Sequence, residues 1–509
     1  FINIRTLADR AKNAVAEGKV KFTPSQKGDE LVRYYDELHD WNISRQIPWG
    51  IPIPAFQNVD DPEDWIFDTR VDQAEIVVNN TTYRRDEDTF DAWFSSGQWP
   101  FITTDYLSEG NLARFYPNSV METGTDLLRS WVARMIMLGL YATDKVPFND
   151  VFMHGLILDE HGQKMSKSKG NVLNPMDVIN EFGSDALRMG IVMNRSAGQA
   201  QAFSPATVVA GRNFCNKLWN IARFIESQDN GEVSRKKVDN AVPHSPAENW
   251  IFAQLDQARQ DIESHITNYR FAEAADTIYH VIWDDLADWF IEASKQNARP
   301  EFMHKVLNIA LRLTHAFAPF VTETIWTALR DDRTALRDDR TALRDDRTTL
   351  ISQAWPKQLS FDKASADEFN EVKNLVTEIR HILSDLPAGK YDLLYQDDSV
   401  VDNNIALIKS LAKLNSVNHS DAPKGLQIPS TSRVAWLDLS DDMIYEHQNR
   451  LEAKLLSVRQ QIDNLKKRLL NENYITNAPA NLVQETRDQL ENNLALEKQL
   501  TIELTKSDK

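Results

Sequence analysis

The sequence predicts an α/β domain over residues 1–204, then an all-α helix bundle over 205–356, a small α/β connector over 357–440 and a C-terminal coiled coil over 441–509. Three patterns carry that expectation. Before residue 205, short apolar strand-like runs alternate with helical stretches, the mark of a parallel sheet that takes its ligands at the carboxyl ends of its strands. From 205 onward apolar residues recur at three and four, as in a helix bundle. From Asp441 the rhythm becomes 4-3-4-3-4 through Leu451, Leu455, Val458, Ile462, Leu465 and Leu469, a coiled-coil seam.

Taken in order, Ile4, Leu7, Ala11, Ala14 and Val15 predict an opening helix. Pro48, Pro52 and Pro54 predict extended chain, since proline removes a donor and biases the residue before it towards β geometry. Residues 57–88 are polar and acidic around one strand-like run, Glu75 to Val78. The run DTFDAWFSSGQWPF, 88–101, reads as a buried strand end and turn. In METGTDLLRSWVARMIMLGLYAT, the spacing of Leu127, Leu128, Trp131, Met135 and Leu138 predicts a helix entered through Gly124-Thr125-Asp126. Val151 to Leu158 reads as an apolar strand.

Within the bundle, Trp219, Trp250, Trp283, Trp289 and Phe290 read as core. TALRDDR occurs unchanged at 327, 334 and 341. A seven-residue unit drifts by only ~20° per repeat on a helix, so it reads as a solvated expansion at a loop or helix end. The connector holds a helix from Phe369 to Leu383 and strand-like pieces such as RVAWLDL. After NENYITNAPA a second tail helix resumes with Val483, Leu490, Leu494 and Leu504. The short loop predicts an antiparallel hairpin, while the periodicity fits a dimerisation coil equally well.

At 509 residues the chain is long enough for several domains. A net charge of -18 lowers the expectation of nucleic-acid binding without excluding a local basic patch. Cys215, the only cysteine, excludes intrachain disulfides and every multi-cysteine zinc site, and it fits a reducing cytoplasm. No run reaches the roughly 18 apolar residues of a membrane span. The start, FINIRTLADRAKNAVAEGK, reads as the interior of a longer protein.

The most informative stretch is HGLILDEHGQKMSKSKGNVLNP, His154 to Pro175. Lys164, Ser166, Lys167 and Ser168 lie in a glycine-flanked, turn-prone run. Ammonium groups act on phosphate oxygens as point charges and hydroxyls donate hydrogen bonds, so the run reads as an anion-binding loop for phosphate. The residue types alone also fit a solvated basic loop. Asp126, on its own residue type, fits an ordinary helix N-cap.

KMSKS, complete from Lys164 to Ser168 and followed by GNV, resembles the signature of class I aminoacyl-tRNA synthetases. The order WNISRQIPWGIPIP, DTFDAWFSSGQWPF, METGTDLLRSWVARMIMLGL, KMSKSKGN, RNFCNKLWNIARF and NYRFAEAADTIYHVIWDDLADWFIEASK resembles the second half of the valyl-tRNA synthetase family, and KRLLNENYITNAPANLV resembles its C-terminal arm. The resemblance covers nearly the whole chain. It implies the second half of a Rossmann-like catalytic domain, an anticodon-binding bundle, a connector and a tRNA-binding coiled coil.

It further implies ATP with Mg2+, valine and tRNA(Val) as substrates and partners, no zinc, no membrane, and a cytoplasmic monomer. On the matching positions, Lys164 and Lys167 would be catalytic at the β- and γ-phosphates. Gly124, Asp126, His154, Gly155, Met165, Ser166, Lys167 and Ser168 would hold ATP, with Asp126 on the ribose and His154, Gly155 and Met165 beside adenine. Trp93, Leu127 and Trp131 would line the amino-acid pocket, which selects by shape. Isoleucyl-tRNA synthetase shares the layout and is the competing reading, although it typically has WF-D-S-G where this chain has WFSSGQWPF.

The departures set further expectations. None of the eleven histidines belongs to an HxGH motif, which the family carries upstream, so the resemblance implies a portion without that element and without most of the editing domain. Asn42 stands where a cysteine is common, Leu127 where isoleucine is, and Arg129-Ser130 where the family has aromatic residues.

Overall fold

Alternating apolar runs and helices before residue 205 fold into a parallel sheet in the computed structural model. The structure describes residues 1–509 apart from 194–196, 230–232, 331–348, 430–432 and 508–509. The side chains of Lys167, Arg235, Arg330, Ala480, Asn481, Lys506 and Ser507 also lie outside the description. The chain divides into two units, Phe1–Arg212 with Ile262–Asp276 and Asn213–Asp261 with Thr277–Lys509.

In the first unit the sheet runs Lys21–Thr23, Phe148–His154, Asn118–Gly124, all parallel. Parallel neighbours require crossovers, which helices supply. The helices Arg5–Ala16, Gln26–Asp36 and Ala133–Thr143 pack with the sheet around Ala8, Ala11, Leu31, Tyr35, Met135, Ile136, Phe148 and Val151. Alanines on the first helix let backbones approach closely. Tyr35, with none of its surface exposed, satisfies its hydroxyl by donating to Ala133 O at 3.0 Å.

Three local expectations change, and a fourth, the strand Glu75–Val78, is met as part of a larger sheet. METG belongs to the strand Asn118–Gly124, because Met121 pairs with Val151 and Gly124 with His154. The helix then starts as a 3-10 turn, Thr125–Leu127, and a π turn, Leu128–Val132, before Ala133–Thr143 becomes α-helical. Its buried face is consequently Leu128, Val132, Met135 and Ile136, while Leu127 and Trp131 are only half-buried. A π turn shifts the face by one position, and such turns often lie at functional sites.

Residues 88–101 hold the short strand Thr89–Phe90 and then two short helices, Ala92–Ser96 and Trp99–Thr103, where a strand end and turn were expected. Asp91 caps the first by accepting from Trp93 N at 2.9 Å, and Pro100 starts the second. The polar stretch 57–88 belongs to a four-stranded antiparallel sheet ordered Trp65–Phe67, Ala55–Asn58, Thr81–Arg85, Glu75–Val78. Asn79 and Asn80, at φ 51° and 65°, make its two-residue hairpin turn. Finally, the apolar run Val151 to Leu158 breaks at Gly155: Ile157–Leu158 pairs with Gln201–Ala202 in a separate parallel ladder.

The second unit contains the helices Pro246–Thr267, for its greater part, Pro300–Thr314 and Pro319–Arg330, and a π-helical stretch, Val281–Ile291. Trp250, Trp289 and Phe290 are buried as expected, whereas Trp219 is 40% exposed and Trp283 half-buried. Trp283 stacks on Tyr279 at 5.5 Å with Lys217 above its ring. Thr327 to Arg330 close the helix Pro319–Arg330; the rest of the TALRDDR repeat, through 347, lies outside the described residues.

The connector helix is longer than its apolar stripe suggested, Lys363–Ser384, because Asp362 caps it by accepting from Ala364 N and Ser365 N. Beside it lies a four-stranded mixed sheet ordered Ser416–His419, Asp392–Tyr395, Ala435–Leu437, Leu426–Gln427. The tail forms the hairpin within one chain: Asp441–Leu469 packs on Ala480–Ser507. Arg459 meets Glu497 at 2.7 Å and Asn493 meets Gln461 at 3.3 Å, so the helices run antiparallel. Leu451, Leu455, Val458 and Ile462 form the seam, but their partners are Leu490, Leu496, Leu500 and Leu504, and Leu494 is 40% exposed. No helix among the described residues is long and apolar enough to cross a membrane.

Candidate active site

The carboxyl edge of the parallel sheet places the first group of residues. Gly124 and His154 are the last residues of adjacent strands and are paired in register. A Cβ on Gly124 would lie 2.7 Å from Asp126 Oδ1 and 3.4 Å from His154 Cε1, so only glycine allows the carboxylate to fold back over the strand end. The N-cap position falls on Gly124, with no side-chain cap bond. Asp126 is therefore not used as a cap; it is exposed at the edge. Glu122 Oε1 lies 3.4 Å from His154 Nε2, and His154 Nδ1 is 3.0 Å from Gly155 O.

Lys164 Nζ reaches to 3.5 Å from Asp126 Oδ2, joining the KMSKS loop to this edge. Both side chains are largely exposed, so the pair is weak and free to exchange for a ligand. Ser166 and Ser168 bring their hydroxyls within 3.2 Å of each other. The backbone of Lys167 opens the 3-10 turn Lys167–Lys169; its side chain lies outside the described residues. Met165 packs against the cluster of Val178, Ala186, Leu187, Phe203 and Val208, which anchors the middle of the loop. At Gly155 a Cβ would fall 1.7 Å from Gln199 O, so glycine there is required by the backbone packed against it.

Two residues that sequence reasoning missed hold the loop. Asp159 Oδ1 accepts from His161 N at 3.0 Å and Gln163 N at 2.7 Å, while Oδ2 accepts from Asn171 Nδ2 at 2.8 Å. The bond from Gln163 N, then that from Asn171, holds the Asp159 carboxyl below its usual range. Asn171 Oδ1 in turn accepts from Ser166 N at 2.9 Å. Asn171 was visible only as part of GNV.

Of the three residues expected to line the amino-acid pocket, Trp93 and Trp131 meet at the short helix Ala92–Ser96. Trp131 Nε1 donates to Ser96 O at 3.0 Å, and Trp93 sits on the same helix, 37% exposed. Leu127 directly follows Asp126 in the 3-10 turn, which places apolar surface next to the carboxylate. The hub that fixes this helix is Asp91, 6% exposed, which also went unread. It accepts from Trp41 Nε1 at 3.0 Å and from Arg45 Nη2, both in WNISRQ, besides capping through Trp93 N. Asn42, where a cysteine is common, accepts from Ser44 N at 3.0 Å in an Asx turn that shapes the same segment.

Family models match three successive parts of the chain: "tRNA synthetases class I (I, L, M and V)" at 1–204, "Anticodon-binding domain of tRNA ligase" at 248–390 and "Valyl tRNA synthetase tRNA binding arm" at 444–506. A valine–tRNA ligase of Streptomyces avermitilis is 33% identical over 96% of the chain and 55% of its own length. That of Thermotoga maritima is 31% identical over 97% of the chain and 57% of its own length. The chain thus spans about half the length of the curated relatives it matches. Among solved structures, a LeuRS from Agrobacterium radiobacter K84, in ternary complex with tRNA and LeuAMS, superposes with a TM-score of 0.50 at 19% identity, over 71% of this chain and 44% of that one. With its class I catalytic fold, helical anticodon-binding domain and C-terminal arm, the chain belongs to the valyl-tRNA synthetase family of class I aminoacyl-tRNA synthetases.

Proposed function

We propose that the protein ligates valine to tRNA(Val) through valyl-adenylate, this chain supplying the KMSKS half of the ATP site, the amino-acid pocket and the tRNA-binding parts. The observation that carries the reading is Lys164 of the KMSKS loop meeting Asp126 over the strand ends at Gly124 and His154. The valine carboxylate attacks the α-phosphate of ATP, the bond to the β-phosphate breaks, and pyrophosphate leaves. A hydroxyl of the terminal ribose of tRNA then attacks the adenylate carbonyl, the valyl group passes to the ribose, and AMP leaves. Protein groups need form no covalent bond, so rate comes from positioning and from charge placed where charge develops.

Lys164 and Lys167 neutralise the β- and γ-phosphates, with ATP entering as its Mg2+ complex, and the Ser166 and Ser168 hydroxyls donate to phosphate oxygens. Asp126 accepts from both ribose hydroxyls, which a carboxylate does with two oxygens at once. Gly124 keeps that carboxylate close to the sheet, and His154, Gly155 and Met165 border the adenine. Trp93, Leu127 and Trp131 select valine by shape. Apolar discrimination of this sort reaches only about 10 to 200-fold per methylene, a range that itself comes from measurements on isoleucine and valine enzymes of this class, so editing is expected of the protein. The helix bundle and the arm bind tRNA(Val), and the protein works as a monomer in the cytoplasm.

Amino-acid-dependent exchange of pyrophosphate into ATP, by the protein as its cell makes it, tests the reading. Valine is expected to support exchange well above isoleucine; exchange with isoleucine equal to or above that with valine overturns the choice. A second expectation follows from the hub. Asp91→Ala leaves Trp41 Nε1 and Arg45 Nη2 without their carboxylate acceptor and removes the cap of the helix that carries Trp93. KM for valine should rise by about tenfold, with KM for ATP nearly unchanged, as the loss of about 1–3 kcal/mol of hydrogen bonding at a pocket wall implies. Steady-state exchange at varied valine and ATP checks it, and an ATP effect as large as the valine effect would contradict it.

A further inference from the structure

We propose that Asp159 is a positioning residue of the KMSKS loop, acting through Asn171. The inference rests on the reading of that loop as phosphate-binding. The loop enters after Leu158 and leaves at Asn171, and these two ends are held together by one chain of hydrogen bonds. Asp159 Oδ1 takes the amides of His161 and Gln163, fixing the entry turn, and Oδ2 takes Asn171 Nδ2 at 2.8 Å. Asn171 then spends its other atom on Ser166 N at 2.9 Å, inside KMSKS itself.

The consequence is directional. With Ser166 N engaged, the 3-10 turn Lys167–Lys169 begins at a fixed point, and its first closing bond is Lys169 N to Ser166 O at 3.1 Å. Met165 is meanwhile fixed on the other side by its apolar cluster. The clasp therefore sets where the backbone of Lys167 starts. Asp159 is 9% exposed and both its carboxylate oxygens accept from protein donors, so its effect passes through the backbone. Arrangement of donors and acceptors also makes the clasp exchangeable. In the double variant Asp159→Asn, Asn171→Asp, the new amide oxygen at 159 still accepts from His161 N and Gln163 N, its nitrogen donates to the new carboxylate at 171, and that carboxylate accepts from Ser166 N. Only the 3.4 Å contact from Asn171 Nδ2 to Lys164 O is lost. Each single variant instead opposes like with like: two carboxylates in Asn171→Asp, two amide nitrogens in Asp159→Asn.

Amide hydrogen exchange of the peptide spanning 160–170, measured on the whole chain, tests this. Each single variant should exchange about tenfold faster than wild type, the order expected when a charge-assisted hydrogen bond is lost, and the double variant should return to within about threefold of wild type. Unchanged exchange in the single variants, or a double variant as fast as the singles, overturns the proposal. Pyrophosphate exchange by the cell-made protein should follow the same order, with kcat falling in the singles and recovering in the double. A clasp pattern in hydrogen exchange with kcat indifferent to it overturns the positioning role. Failure of wild type to exchange pyrophosphate at all, with the hydrogen-exchange pattern intact, counts against the ligase reading alone.

Discussion

Replacing Lys167 by alanine slows formation of valyl-adenylate by about 10²–10³-fold and leaves valine affinity within about threefold. That magnitude is the usual effect of deleting one group aimed at charge that develops in a transition state. Negative charge on the pyrophosphate grows only as its bond to the α-phosphate breaks, so the ammonium group stabilises the transition state more than the bound substrate. The valine pocket proposed above draws on other residues, Trp93, Leu127 and Trp131, so ground-state affinity for valine should not change. Rapid-quench measurement of single-turnover adenylate formation, with valine binding titrated in parallel, separates the two quantities. An unaltered activation rate would remove Lys167 from this role.

Deleting residues 441–509 weakens tRNA binding by about 10 to 100-fold and leaves adenylate formation nearly unchanged. The hairpin is distant in sequence from KMSKS and carries its basic side chains on exposed helix faces; near its turn Lys466 and Lys467 precede Arg468, which lies 4.6 Å over the Tyr474 ring. Such side chains bind by neutralising phosphates, so the deletion should also flatten the salt dependence, by about 0.7 to 0.9 in log–log slope for each phosphate contact removed. Filter binding of tRNA across a salt series reads both effects. If the deletion instead leaves tRNA affinity untouched and dissociates a dimer, the tail is a dimerisation coil.

Where packing follows periodicity, the sequence was legible. The seam residues Leu451 to Ile462 are buried, and the stripe on Lys363–Ser384 buries Phe369, Val372, Val376 and Ile379. Complete motifs were legible too, which is why Lys164, Asp126, Gly124 and His154 could be named before they were seen together. Asp91 and Asp159 escaped because an acidic residue before a short helix or turn looks like any other. Their meaning lies in partners that only folding brings close: Trp41 is 50 residues from Asp91, and Asn171 is 12 from Asp159. The sheet around 55–85 escaped because its apolar residues, Phe56, Ile66, Ile76, Val78 and Tyr83, are few and spread over four short strands. The π turn at Leu128–Val132 escaped because Leu127 and Trp131 fit a helical stripe as well as Leu128 and Val132 do, and only burial distinguishes them.

The most direct measurement of the central claim is which amino acid becomes esterified to which tRNA. Total tRNA from the host is incubated with ATP, all twenty amino acids and the protein as its cell makes it, and the charged species are then sequenced and their amino acids released and identified. Valine on the valine-accepting tRNA is the predicted result. Isoleucine on its own tRNA, or no ester on any tRNA under conditions where a known valine–tRNA ligase charges the same pool, would contradict the account.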